Sequence, residues 1–218
     1  MSIKPLVLIP AAGFGTRVGS PVTKEMMTDP EGRPLIDFAL AQALKRNWPV
    51  HIITREEKQP LIQHLQTWKD HGLQISWQFV SATKEWPETL LLSKPFWQER
   101  NLVVLPDTRY LPVDIWDQMQ TQQDAGGDVT YAVMESDDLK SASSWGVLRF
   151  EPFSLCEKPR EVLPPRYFFW GLMLFRKHVG QALLEAHLES TFDHQWKALQ
   201  VKATQVRLID FTDLTRGL

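Results

Sequence analysis

Residues Leu6 to Met27 read LVLIPAAGFGTRVGSPVTKEMM, and this stretch decides the fold. The continuous apolar run Leu6–Ile9 predicts a parallel strand that is buried on both faces. Pro10 should end that strand, because proline cannot donate to a sheet ladder. The residues that follow are small, so their backbone N–H groups can approach a ligand and converge on an anion. These residues are Ala11, Ala12, Gly13, Gly15 and Thr16.

Two cations, Arg17 and Lys24, come directly after this turn and favour a polyphosphate as the anion. The structural alternative is a tight connection between strand and helix that happens to carry surface cations. A dinucleotide fingerprint does not fit, because Val18 stands where close helix–strand packing requires glycine or alanine. A P-loop does not fit either, because no Gly-Lys-Ser/Thr follows.

The segments AAGFGTR, Thr23–Met27 and Gly32–Ile36 together resemble the signature of the sugar-1-phosphate nucleotidylyltransferases. In that family a proline precedes the lysine, and here the residue is Thr23. The short spacer before Lys24 is also similar to that of cytidylyltransferases that make activated alditols, so the base is left open. The resemblance implies a three-layer α/β fold, a mostly parallel Rossmann-like sheet with helices on both faces.

Size and composition indicate an ordinary soluble α/β protein. The 218 residues suit one domain, with 43% hydrophobic and 23% charged residues. A net charge of −2 gives no reason to expect a nucleic-acid or membrane partner. Cys156 is the one cysteine, so no internal disulfide can form, which fits a reducing compartment. Residues 1–10 lack a signal-peptide core, and no apolar run approaches the 18 residues of a membrane span. We therefore expect a single cytoplasmic domain over 1–218, with the nucleotide half first and the sugar-phosphate side from about 135.

Strands and helices alternate along the first hundred residues. A helix is expected from Pro34, a strand at Val50–Ile53, a second helix around Leu61–Trp68 and a strand at Leu73–Phe79. This βαβαβ order predicts a parallel sheet with right-handed crossovers. The scattered histidines are interpreted as surface or packing residues; they are His51, His64 and His71.

A candidate metal ligand follows the apolar strand Asn101–Leu105. Ligands of open α/β sheets bind beyond the carboxyl ends of the strands, so Asp107 should lie level with the glycine loop if this strand neighbours the first. The alternatives are a turn cap or a solvent-facing carboxylate. The resemblance implies that Asp107 holds Mg²⁺, the expected cofactor. For a second carboxylate we favour Asp210, which ends a predicted strand at Val206–Ile209, over Asp213.

The residues that would recognise the base are less distinct. The family uses a glycine-containing turn here, whereas Trp86–Leu92 has no glycine. Pro87 and Glu88 equally suit the first turn of a helix. Gln78 or Ser81 could contact a pyrimidine edge.

Later segments resemble the sugar side of the family. They contain Gly146 in WGVL, Glu157 and Lys158 in EKP, and Gly171 in WGL. The resemblance implies that the glutamate accepts sugar hydroxyls and that the lysine meets the sugar phosphate. Further helices are predicted at Asp114–Gln123 and His178–Leu188, and a strand at Val129–Met134.

The implied reaction joins a nucleoside triphosphate, with UTP or dTTP favoured, to a sugar 1-phosphate and releases pyrophosphate. Arg17, Lys24 and Asp107 are the expected catalytic residues. No general base is needed because the nucleophile is already an anion, and positioning with charge neutralisation supplies the catalysis. Two alternatives are a CTP-dependent cytidylyltransferase of an alditol or sugar phosphate and a non-catalytic nucleotide-sugar-binding relative.

Overall fold

The computed structural model describes residues 3–13, 23–81, 83–135, 146–150, 153–158, 168–189, 201–205 and 207–210. The chain divides into two compact units, Met1–Arg109 with Ile209–Leu218, and Tyr110–Leu208. Among the described helices, none has the length and apolar character that crossing a membrane requires.

The first unit contains a parallel sheet in the order β4-β1-β2-β3. Helices alternate with these strands, as the sequence predicts, and β1, β2 and β4 are almost wholly buried. The elements are β1 (Leu6–Pro10), α1 (Asp37–Arg46), β2 (Val50–Thr54), α2 (Gln59–Asp70), β3 (Ile75–Phe79), α3 (Trp86–Leu92) and β4 (Arg100–Val104), and β5 (Thr108–Leu111) follows. The α/β class with a mostly parallel sheet is confirmed.

The first helix begins later than the sequence pattern suggests. Pro34 accepts a backbone hydrogen bond from Asp37, which closes a turn before α1 starts. The helix ends at Arg46, and the left-handed backbone of Asn47, with its N–H bonds to Ala43 and Leu44, forms the C-cap. Capping geometry, which the apolar stripe does not encode, therefore sets the C-terminal boundary.

The second unit has a mixed sheet in which β6 pairs in parallel with β10 and antiparallel with β9. The β7–β8 hairpin joins β9 in antiparallel fashion. This hairpin and β10 are short, and neither was predicted as a strand. The elements are α4 (Ile115–Asp124), β6 (Val129–Glu135), β7 (Gly146–Phe150), β8 (Phe153–Glu157), β9 (Phe168–Arg176), α5 (Lys177–Glu189), β10 (Val201–Gln205) and β11 (Arg207–Asp210), the last of which spans the boundary between the units.

A bulge interrupts the pairing of β6 with β9 at Gly171. Val133 lies opposite Trp170, whereas the preceding Ala132 lies opposite Leu172, so Gly171 has no partner in the register. Its carbonyl accepts a hydrogen bond of 2.8 Å from the buried Tyr110 hydroxyl. The bond satisfies a buried polar group that the bulge leaves outside the ladder.

His51 is a buried packing residue in β2, in agreement with the sequence interpretation. Its Nδ1 lies 2.8 Å from Ser76 Oγ, and its Nε2 lies 3.3 Å from Gln78 Oε1. The ring stacks on Phe96 with centroids 4.2 Å apart. Burial lowers the pKa of His51, and the Gln78 hydrogen bond opposes that shift only in part.

We predict that His51 makes the protein less stable in mild acid. Below the ordinary pKa of 6.5 the unfolded chain binds a proton that the folded chain excludes. The free energy of unfolding therefore falls as the pH drops from 6.5 to the lowered folded pKa, by at most about 1.4 kcal/mol per pH unit from this group. Urea unfolding of wild type and His51→Gln at pH 7.5 and 5.5 measures the loss.

The control is His71→Gln, an exposed histidine at the end of α2 that leaves His51 in place. The wild-type loss should persist in His71→Gln and shrink in His51→Gln. Equal losses in wild type and His51→Gln would contradict the assignment.

Candidate active site

The candidate site lies where β1 and β4 end side by side. The two strands are parallel, with Leu6 opposite Asn101 and Leu8 opposite Val103. Parallel strands have their carboxyl ends at the same edge, so the residues after β1 and those after β4 share that edge. The expectation that Asp107 follows a strand beside the first is confirmed.

Lys24 and Asp107, 83 residues apart in sequence, form an ion pair at this edge. Lys24 Nζ lies 2.6 Å from Asp107 Oδ2. Lys24 belongs to a short 3-10 helix, Lys24–Met26, and its side chain is 36% exposed, against 27% for Asp107. Both charged groups are thus accessible to a ligand as well as to each other.

The loop after β1 presents two amides. The N–H of Ala11 donates to Ile53 and so continues the pairing with β2. Within the described ranges, the N–H groups of Ala12 and Gly13 donate to no residue. Among the described residues, none lies within 4 Å of a Cβ added to Gly13. Gly15, Thr16 and Arg17, the other predicted loop residues, lie outside the described residues.

A buried ion pair that the sequence interpretation missed contacts the same loop. Lys58 Nζ donates to Ala11 O at 2.6 Å and to Glu25 Oε1 at 2.9 Å, and the two side chains are 3% and 0% exposed. Burial lowers the pKa of Lys58, Glu25 opposes that shift, and Arg55 and Lys24 add to it. The segment Arg-Glu-Glu-Lys has the composition of a surface turn, so no sequence signal marks Lys58 as buried.

The base-recognition candidates are divided between two environments. Gln78 contacts buried His51 within the sheet, whereas Ser81 is exposed two residues after β3.

The start of α3, where the sequence lacks the glycine turn expected from the family, is a capping box between Glu85 and Glu88. Glu88 Oε2 also accepts a 2.9 Å bond from the backbone N–H of Lys84. Its carboxylate therefore stabilises the start of α3, as the helical interpretation predicts.

The predicted sugar-phosphate residues lie in the second unit. Gly146 begins β7 opposite Glu157, whose side chain lies outside the described part, and Gly171 forms the bulge in β9. Lys158 directly follows β8 and adopts φ +50°, a left-handed conformation that is unfavourable for a residue with a Cβ. Asp210 ends β11, but its side chain and Asp213 also lie outside the described part.

Asp107 has the chemistry that a magnesium ligand requires. It supplies a partly exposed carboxylate, and Mg²⁺ is usually held by one or two carboxylates together with substrate phosphates and water. Among the described side chains, no three or more histidine, cysteine, aspartate or glutamate residues cluster as a metal site. The single described carboxylate of Asp107 fits a metal that binds together with a phosphate ligand.

Comparison with known families gives a match to the nucleotidyl transferase model over residues 4–207. The chain belongs to the nucleotidyl transferase family. The family resemblance of the sequence motifs is thereby confirmed. Among curated proteins, none matches the sequence significantly.

Solved structures share the fold of this nucleotidyl transferase. A Bacillus anthracis protein described as a glucose-1-phosphate thymidylyltransferase, in complex with sucrose, is 18% identical with a TM-score of 0.76, covering 97% of this chain and 93% of its own. A UDP-glucose pyrophosphorylase from Acinetobacter baumannii is 16% identical with a TM-score of 0.72, at 95% and 88% coverage. HddC from Yersinia pseudotuberculosis is 14% identical with a TM-score of 0.68, at 98% and 97% coverage.

We predict that Gly13→Ala weakens triphosphate binding without destabilising the nucleotidyl transferase. The added methyl group contacts no described residue within 4 Å, so we expect the fold to tolerate it while it hinders the approach of a phosphate to the loop. Loss of one amide bond to a charged phosphate costs about 1.5–3 kcal/mol, or roughly tenfold to a hundredfold in Kd. Titration calorimetry with each nucleoside triphosphate and thermal melting measure the two effects.

Gly127→Ala is the matched control, because its added Cβ makes only ordinary contacts at 3.5 Å or more. It should leave affinity unchanged. An affinity for triphosphate in Gly13→Ala equal to that of wild type would show that the ligand does not approach this loop.

Proposed function

We propose that the chain joins a nucleoside triphosphate to a sugar 1-phosphate, giving a nucleoside diphosphate sugar and pyrophosphate, with UTP or dTTP as the favoured donor. The pairing of Lys24 with Asp107 beside the Ala12 and Gly13 amides carries this proposal. It combines a partly exposed cation, a carboxylate and two backbone donors at the carboxyl edge of a parallel sheet, the usual ligand-binding edge of such folds. Membership of the nucleotidyl transferase family supports it.

In the proposed reaction an oxygen of the sugar phosphate attacks the α-phosphorus of the triphosphate. The bond from that phosphorus to the oxygen bridging to the β-phosphorus breaks, and pyrophosphate leaves with the electron pair. A phosphate monoester has a second pKa of about 6, so the nucleophile is already anionic at neutral pH. The protein's contribution is to align the two phosphates and to neutralise their charge.

Lys24 serves as the central cation of this reaction. It is held by Asp107 in the structure, so its ammonium is positioned before a substrate enters. When a triphosphate binds, Lys24 contacts the α-phosphate and stabilises the charge that develops there. The amides of Ala12 and Gly13, together with Gly15, Thr16 and Arg17, hold the departing β- and γ-phosphates.

Mg²⁺ is the proposed cofactor, held by Asp107 with Asp210 as the second carboxylate. When bound, it supplies charge neutralisation for the phosphates of the donor. The Asp107 carboxylate would be available to hold the metal once the Lys24 ammonium has moved from it to the phosphate oxygens.

The sugar phosphate is proposed to bind in the second unit through Lys158, with Glu157 accepting sugar hydroxyls and Gly146 and Gly171 bordering the sugar. The left-handed backbone of Lys158 supports this role, because strained residues persist where a side chain must be directed to a set place. Gln78 and Ser81 remain the proposed base contacts.

A pyrophosphate-release screen tests the proposed function. It combines ATP, CTP, GTP, UTP and dTTP with hexose 1-phosphates and with alditol phosphates, at several Mg²⁺ concentrations. Turnover with UTP or dTTP and a hexose 1-phosphate is expected. Turnover confined to CTP with an alditol phosphate would replace this function with the cytidylyltransferase. Tight nucleotide-sugar binding without any turnover would indicate the non-catalytic relative.

We predict that Lys24→Ala lowers kcat by about 10²–10³, because removal of one preorganised charge contact costs roughly 3–4 kcal/mol of barrier. The melting temperature should hold, since Asp107 is exposed enough for water to solvate it. Lys45→Ala, an exposed lysine on α1, is the control and should keep the wild-type rate. A rate for Lys24→Ala within twofold of wild type would remove Lys24 from the mechanism.

We predict that Lys158→Ala raises the Kd of the sugar phosphate by at least about tenfold while the Kd of the triphosphate stays within about twofold. The reason is that a buried or partly buried charge-assisted bond to phosphate contributes about 1.5–3 kcal/mol. Calorimetric titration of each substrate separately decides the case. Parallel losses for both substrates would mean that Lys158 does not serve the sugar phosphate specifically.

A further inference from the structure

The Lys58–Glu25 pair joins three separate segments beneath the candidate site. Lys58 precedes α2, Glu25 belongs to the short helix that carries Lys24, and Ala11 is the first residue after β1. One ammonium binds the carbonyl of Ala11 and the carboxylate of Glu25. Thr54, at the end of β2, directs its hydroxyl to the same carbonyl at 3.4 Å. The three segments are therefore fixed at one point.

The bond to the Ala11 carbonyl determines where the next amide points. A trans peptide is planar, and its N–H is directed opposite to its C=O. Because Lys58 holds the carbonyl of Ala11 toward the interior, the N–H of Ala12 is directed away from Lys58. A cation on the carbonyl also polarises the peptide, which makes the N–H a stronger donor. Lys58 thus acts on the loop without lying in it.

The bond to Glu25 acts on the other side of the site. Glu25 is fully buried, and its backbone carbonyl accepts the N–H of Ile36 at 3.1 Å, so it is fixed by both side chain and main chain. Lys24 is its immediate neighbour in a three-residue helix, where a shift of one residue moves the next. The position of the Lys24 backbone is therefore set by the carboxylate that Lys58 binds.

From this geometry we infer that Lys58 is a positioning residue of the nucleotide site. Through its bonds to Ala11 and Glu25, it fixes the position of the Ala12 amide relative to Lys24. The inference rests on the proposed function, since it assigns Lys58 to the phosphates of the triphosphate. Stability alone is a weak reason for such a pair, because apolar residues of similar size often replace a buried ion pair without loss.

The lowered pKa of Lys58 agrees with this placement. Lys24 and Arg55 both lower it through their charges, so the three cations lie close enough to interact. Glu25 offsets part of this repulsion. One Glu25 oxygen, Oε2, is buried without a hydrogen-bond partner among the described residues, so the carboxylate is held chiefly by Lys58.

The test separates positioning from stability with single and double variants. Lys58→Met leaves the Glu25 carboxylate buried and unpaired, so its melting temperature should fall. Lys58→Met/Glu25→Leu removes both charges and should recover most of that loss. If Lys58 is a positioning residue, the double variant still lacks the bond to Ala11, and its kcat/KM for the triphosphate stays reduced by about 10²-fold. Its KM for the sugar phosphate should remain within twofold of wild type.

Asp37→Asn is the matched control, because it disturbs another polar contact, that of Asp37 with His64 and Trp68 between α1 and α2. Asp37→Asn should lower the melting temperature and leave kcat/KM for the triphosphate unchanged. Recovery of full kcat/KM in the stable double variant would overturn the inference, as would equal rises in the KM values of both substrates. Failure of the proposed function is distinguishable, because wild type would then show no pyrophosphate release with UTP or dTTP and a hexose 1-phosphate.

Discussion

Parallel pairing of β1 with β4 is the constraint on which the candidate site depends. It brings the loop after Pro10 and the turn containing Asp107 to one edge, although nearly a hundred residues separate them. The strands are buried on both faces, so their register is fixed by packing as well as by hydrogen bonds. The site's charged groups can therefore lie in short connections without losing their relative position.

Within that frame, two ion pairs are in place before any ligand binds. Lys24 is paired with Asp107 at the edge, and Lys58 with Glu25 below it. The exposed pair can exchange partners at little cost because water solvates both groups. The buried pair cannot, because either charge left alone would lack solvation. One ion pair is thus suited to contact a substrate and the other to hold the backbone that presents it.

The sequence predicts those parts of the protein in which local pattern and tertiary structure agree. The apolar run Leu6–Ile9 and the strand before Asp107 are continuous, and each is followed by a proline, so both strands could be anticipated from the sequence. The short strands β7, β8 and β10 could not, because each has only five residues, and β7 and β10 join the sheet through β9 and β6, partners that a local pattern does not identify. Phe79, the last residue of the predicted strand Leu73–Phe79, is 50% exposed, since apolar alternation does not reveal what covers the end of a strand. Lys58 was missed for a different reason, because burial of a lysine depends on a partner carboxylate 33 residues away.

Because of the left-handed backbone at Lys158, stability and the proposed turnover favour different residues at this position. A side chain with a Cβ costs about 1–2 kcal/mol in this region, and glycine does not incur that cost. Selection for thermostability alone should therefore favour glycine at position 158. The same change removes the ammonium that the proposed reaction uses, so stabilised variants would gain melting temperature and lose affinity for the sugar phosphate. A library screened only for heat resistance would move toward inactive proteins at this position, and one screened for turnover would return lysine.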